Sequence, residues 1–280
     1  MAEAIVSSLY TTRNQPMESI TVVDLDQVKL HSLRQSFGAY TTLSAKEGVD
    51  GADLVLLCIK PQNIDVVSEE LSTFDFRDRN TLLLSIVAGC TVQVLKGAFP
   101  TCERIIRTMP NTPSAVLEGI TLWYPDQQPK KGTKISDEDM ERVKRLLSSF
   151  GEEVLVNDES FLDMGTAISG SGPAYVFLMA ECLIDAGVHL GFPRAIAEKL
   201  ALSTIRGSTS YAMRSPESLS ELRYKVTSPG GTTASALYEL EKGRFRTVLT
   251  DAVWAAHRRA RELGEKNPNV GPGRTTFSNK

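Results

Sequence analysis

Between residues 20 and 156 short apolar runs alternate with stretches whose apolar positions recur at helical spacing. The runs lie at 20–24, 53–59, 81–87, 104–107, 120–124 and 154–156. Two of them, 53–59 and 81–87, are almost continuously apolar, as parallel strands buried on both faces are. Helix signals fill 26–37, closed by Gly38, and 63–71. Strands separated by helix-length segments predict βαβ units and a mostly parallel sheet. From about residue 160 strand signals vanish and helical patterns run to 266. The first of these is predicted at 173–190, with Ser171 as cap and Pro173 at the first helical position. It is apolar on nearly every side (Val176, Phe177, Met179, Ala180, Leu183, Ile184), so it is expected inside the domain or between subunits. Gly191 ends it, and Pro193 opens a second helix reaching about residue 213. The pattern thus divides the chain into a sheet domain at 1–158, a helical domain at 159–266 and a disordered tail at 267–280.

A length of 280 residues suits two domains, each with enough chain to bury a core. The net charge of −3 argues against nucleic acid or an anionic membrane surface as partner. No run reads as long enough for the ~18 residues of a membrane span. Cys58, Cys90, Cys102 and Cys182 share no metal or redox spacing and read as reduced thiols of a reducing compartment, the cytoplasm. An organelle-targeting segment ahead of Met1 is left open. His31, His189 and His257 lie far apart, so no metal centre is expected.

Candidate chemistry gathers in two places. Ligands of open parallel sheets sit beyond the carboxyl ends of the strands. Those ends carry Asp24, Cys58, Ile59, Lys60, Pro61, Ala88, Gly89 and the segment 109–113 with Asn111. The second place is Lys225-Val226-Thr227-Ser228-Pro229-Gly230-Gly231-Thr232-Thr233, between two helical patterns. Paired glycines bring backbone N–H groups close to a ligand. Four hydroxyls surround them without an acid, and the following helix points its positive end at the same spot.

These blocks resemble the pyrroline-5-carboxylate reductase family. The run 226–241 is similar to its signature, 167–175 (Ala-Ile-Ser-Gly-Ser-Gly-Pro-Ala-Tyr) to its interdomain segment, and 59–62 with 109–113 to its cofactor-side loops. The resemblance implies a Rossmann-like domain binding NADPH or NADH, and a helical domain forming a homodimer or a higher assembly of dimers. It implies hydride transfer to the C=N carbon of 1-pyrroline-5-carboxylate, giving L-proline. Thr233 and Ser228 would be catalytic; Val226, Gly230, Gly231, Thr232 and Thr233 would bind substrate. Met1, Asp24, Cys58, Ile59, Lys60, Pro61, Ala88, Asn111, Glu159 and Lys225 would face the cofactor. Asp24, closing a strand, suits the ribose of NADH, while Lys29 and Arg34 would offset its repulsion of NADPH.

The family opens with a strand and a Gly-rich turn ending in a methionine, and Met1-Ala-Glu-Ala-Ile5 matches the helix that follows. The expectation is a start roughly ten or more residues too late, with two strand edges exposed where the first strand belongs. Ala45 departs from the family's Asn. The alternatives are a non-catalytic or cofactor-impaired relative that keeps the oligomerisation domain, or a reductase of another cyclic imine or a β-hydroxy acid.

Overall fold

A computed structural model describes residues 1–12, 16–78, 80–127, 134–264 and 269–272. Helix α1 (Ala2–Thr12) buries Ile5, Val6 and Leu9. Strand β1 (Thr21–Val23) leads into α2 (Gln27–Phe37). Asp26 caps α2 through the N–H groups of Val28 and Lys29, and Gly38 closes it at φ 72°. The sequence pattern missed β2 (Tyr40–Thr42), which is too short and too polar to show a period of two. There follow α3 (Ala45–Val49), β3 (Leu54–Leu57), α4 (Ile64–Glu70), β4 (Leu82–Ser85), α5 (Val92–Ala98) and β5 (Ile105–Met109). Then come β6 (Gly119–Pro125), α6 (Asp137–Ser148), β7 (Gly151–Leu155) and α7 (Ser160–Gly165).

The strands form two sheets, β1-β2 and β3-β4-β5-β6-β7. Every pairing is parallel except β5 with β6. A parallel return needs a crossover of a dozen or more residues. The β5–β6 link holds one short 3₁₀ turn, Thr112–Val116, and reverses at Leu117 with φ 63°. Among the described residues β1 pairs only with β2 and β3 only with β4, so each keeps an edge without a strand partner. Strand β4 is buried along its whole length. Leu83 joins a core with Phe76, Leu95, Phe99 and Ile105. Leu82 and Leu84 join another with Ile5, Ile106, Trp123, Val143 and Phe150. The sheet is therefore covered on both faces, as its apolar runs required, in a Rossmann-like arrangement.

By packing, the first compact unit is Met1–Ser171 with Ala256–Lys280, and the second is Gly172–Ala255. The expected boundary at 158 lies earlier because α7 stays with the sheet. A Cβ on Gly165 would meet Leu122 Cδ2 at 2.7 Å, and buried Asp163 faces Arg107 of β5.

The second unit holds α8 (Gly172–His189), α9 (Arg194–Arg214), α10 (Leu219–Lys225), α11 (Thr232–Lys242) and the start of α12 (Phe245–Leu263). Helices α8 and α9 meet where a Cβ on Gly187 would lie 2.9 Å from Ala197 Cβ, and their shared core is Ile184, Ala197 and Ala201. The segment 170–173 was expected to open a helix after a break. Instead a π-helical turn, Thr166–Gly170, carries the helical path from α7 into α8. Ser160–His189 is consequently long and apolar enough to cross a membrane by length and composition, which corrects the reading that no run reaches that size. Of the expected tail, 267–280, only 269–272 lie within the described residues.

Candidate functional site

In the first unit Asp24, Cys58 to Pro61, Ala88 and Asn111 each follow the carboxyl end of a strand, β1, β3, β4 and β5 in turn. Strand β3 delivers Cys58 and Ile59 to its carboxyl end, half-buried, with Lys60 exposed beyond them. Pro61 then starts a 3₁₀ turn with its fixed φ, and the Lys60 carbonyl accepts from Asn63 N–H at 2.9 Å. Burial pushes the Cys58 thiol up to about 12, and the Met1 ammonium pulls the other way. At the end of β1, Asp24 Oδ1 accepts from Asp26 N–H at 2.9 Å, an Asx turn that fixes the carboxylate before α2.

Ala88 and Gly89 follow β4. Gly89 is confined by the chain itself: its φ is +72°, and an added Cβ would meet Leu263 Cβ at 2.8 Å. Asn111 is buried, and its Oδ1 accepts from Ile120 N–H at 2.9 Å, so this side chain ties the β5–β6 loop together. Glu159 is likewise engaged. Its Oε1 accepts from Val92 N–H at 2.8 Å and from Arg107 Nη1 at 2.5 Å. Arg107 is buried, with Asp163 Oδ1 3.6 Å from Nη2. Sequence reasoning missed Arg107 and Asp163. The available signal was an arginine inside an apolar strand, since a buried cation needs acids beside it.

In the second unit the 225–233 loop has the turn its residues dictate. Pro229 and Gly230 occupy the two central positions, Gly230 at φ 68°, and Gly231 N–H donates to Ser228 C=O at 3.0 Å. The Gly231 amide, expected to face a ligand, is therefore used by the turn itself. Gly231 is the N-cap of α11, and no side chain caps that helix. Its first N–H groups, those of Thr232 and Thr233, point out of the helix end as donors. A Cβ on Gly231 would meet Ser228 Oγ at 2.5 Å and Ser228 O at 3.1 Å. Gly231→Val is accordingly expected to open the turn and lower kcat/KM by about 10-fold or more while the melting temperature changes little. An unchanged kcat/KM would show that turn geometry is not needed.

Lys225 is held by Glu217, with Nζ to Oε1 at 2.5 Å, and this hydrogen bond raises its pKa. The resemblance offers Lys225 to the cofactor, and nothing in the sequence pattern singles out its partner Glu217. Val226, next to it, is exposed. Elsewhere, a cleft lined by Pro125, Gln127, Leu155, Val156, Asn157 and Phe161 sits where β6 and β7 finish. Since β6 runs against β5, this is opposite the carboxyl ends of β3–β5, and of the candidate residues Glu159 lies in the segment 157–161 that borders it. No cluster of metal-ligating side chains occurs among the described residues.

Residues 159–263 match the pyrroline-5-carboxylate reductase dimerisation family, and residues 1–89 match the family described as NADP oxidoreductase, coenzyme F420-dependent. A pyrroline-5-carboxylate reductase from Corynebacterium melassecola is 37% identical over 266 residues, covering 95% of this chain and 96% of the relative. One from Arabidopsis thaliana is 36% identical over 265 residues, covering 95% and 92%. The solved structure of the Coxiella burnetii reductase superposes with a TM-score of 0.82 at 33% identity, covering 94% of each chain. The Plasmodium falciparum pyrroline carboxylate reductase, solved with NADP bound, gives 0.83 at 28% identity over 93% of each. Likeness along nearly the whole length, in sequence and in fold, establishes that the chain belongs to the pyrroline-5-carboxylate reductase family.

Proposed function

We propose that this chain reduces 1-pyrroline-5-carboxylate to L-proline with NAD(P)H, the last step of proline synthesis. The observation that carries the reading is the 226–233 loop, whose Pro-Gly turn leaves Thr232 and Thr233 at the uncapped start of an 11-residue helix. The substrate's carboxylate suits those N–H groups and the helix dipole. The Thr233 hydroxyl donates to the ring nitrogen as the C=N electron pair collects there, and Ser228 lies across the turn as a second hydroxyl. A proton already on the imine nitrogen stays there as the amine forms. No general acid is then required of the loop, and catalysis rests on positioning, which can supply several kcal/mol.

The strand ends of the first unit fit an anionic dinucleotide: exposed Lys60 beyond β3, and small Ala88 in the turn that follows the neighbouring strand β4. Bound there, NAD(P)H supplies the hydride that C5 of the ring accepts. Ile59 and Pro61 shape that surface, Asn111 holds the adjoining loop, and Glu159 and Lys225 act through their ion pairs. The intact loop speaks for catalysis over a scaffold role. The helical unit forms a homodimer, and the free cysteines support work in a reducing compartment, the cytoplasm. The test is to follow NAD(P)H oxidation with 1-pyrroline-5-carboxylate and identify the product. L-proline is expected, and oxidation without proline would overturn the assignment.

Cofactor choice tests the first unit separately. Lys29 lies 3.6 Å from Asp26, which draws its charge away from Asp24. NADH is expected to be used at least as well as NADPH, and Asp24→Ser to move the ratio of kcat/KM toward NADPH. A wild-type preference for NADPH above about tenfold, ~1.4 kcal/mol, with no response to Asp24→Ser, would remove this carboxylate from ribose recognition.

A further inference from the structure

The loop joining β4 to α5 carries Ala88 and Gly89 at the middle of the proposed dinucleotide surface, and two remote parts of the chain converge on it. On one side stands Glu159, just ahead of α7. Its Oε1 accepts the Val92 N–H, the first of α5, while Arg107 fixes the same oxygen from β5. A charge-assisted bond of this kind is about twice as strong as a neutral one. On the other side lies the end of α12. A Cβ on Gly264 would meet Gly89 O at 2.5 Å, and one on Gly89 would meet Leu263 C at 2.9 Å and Gly264 N at 3.0 Å. These three contacts are with backbone, which cannot rotate away as a side chain can. Gly89 also holds φ +72°, a conformation open to glycine at no steric cost.

We infer that Glu159 and Gly264 are positioning residues that clamp residues 88–92 from two sides and so set the surface on which the dinucleotide lies. The inference rests on the reading of this unit as the cofactor domain and assigns Glu159 a role through the loop. Both arms stand near the points where the chain leaves the first unit, after Ser171, and re-enters it, at Ala256. Cys90, inside the loop, lies close enough to sense Arg107 and Glu159, and burial pushes its thiol up to about 11. It is a packed member of the clamp with no thiolate chemistry.

Hydrogen–deuterium exchange on the full chain, read on peptides covering 86–95, tests this without substrate or cofactor. Glu159→Ala and Gly264→Val are each expected to speed exchange of these amides by about 10- to 100-fold. Glu159→Gln, which keeps an oxygen for the Val92 N–H, should retain more protection than Glu159→Ala. Turnover should show KM for NAD(P)H rising by about 3- to 10-fold with kcat altered much less. If Gly264→Val does not fold, Gly264→Ala makes the same approach to Gly89 O with the smallest side chain. Unchanged protection in folded variants would overturn the clamp. Absence of proline formation by the wild type would instead overturn the functional reading and leave the exchange result standing.

Discussion

Thr233→Ala is expected to lower kcat/KM for 1-pyrroline-5-carboxylate by ~10²–10³, the effect of losing one donor aimed at developing charge. Thr233 is the second residue of α11 and half-buried. Its hydroxyl has no partner among the described residues, so it is available to a ligand. The fold has no stake in that hydroxyl. Alanine has the higher helix propensity, by up to about 0.7 kcal/mol, so the melting temperature should hold or rise. Thr233→Ser, which keeps the donor and loses a methyl group, should recover most of the rate. The loss should fall on kcat and kcat/KM alike, because the bond strengthens as charge builds on nitrogen. Turnover near wild type for Thr233→Ala would exclude Thr233 from the mechanism.

How far the sequence led depended on whether the cause was local. Apolar runs gave β3 and β4 because a strand buried on both faces needs continuous side-chain hydrophobicity. Asp26 and Gly38 gave the ends of α2 because caps are short-range chemistry. Pro229 and Gly230 gave the turn for the same reason. What stayed hidden was set by partners distant in sequence. The resemblance offers Glu159 to the cofactor, and its hold on Arg107 and Val92 shows only once they are folded beside it. Gly264 reads as a helix end until it lies on Gly89. The π-helical turn at Thr166–Gly170 was also illegible, since Gly-Ser-Gly-Pro is the usual spelling of a helix start. The Gly231 amide was assigned outward because sequence names the donors and leaves the turn to decide which remain.

The other large effect belongs to α8. Charging its exposed face is expected to convert a dimer into monomers and to abolish turnover. Within one chain α8 buries only Ala180 and Ile184, and its Phe177 and Leu178 are each 61% exposed. Val176, Met179, Leu183 and Val188 are exposed around them. An apolar patch of this extent on a folded protein marks an interaction site, and the matching family is one of dimerisation. Burying these six side chains, each about half exposed in one chain, yields on the order of 5–9 kcal/mol gross per protomer, against an association cost of about 4–15 kcal/mol. The margin is narrow, and a charge placed in the seam reverses it. Phe177→Glu should therefore give monomeric mass in light scattering at micromolar concentration, where the unaltered chain gives at least twice that. Its sheet unit, whose cores lie in the first compact unit, should keep its own melting transition. A monomeric unaltered chain at that concentration would refute the dimer. A Phe177→Glu protein that stayed dimeric would place the interface on another face, beginning with α9, where Ile196, Leu200 and Leu202 are also exposed.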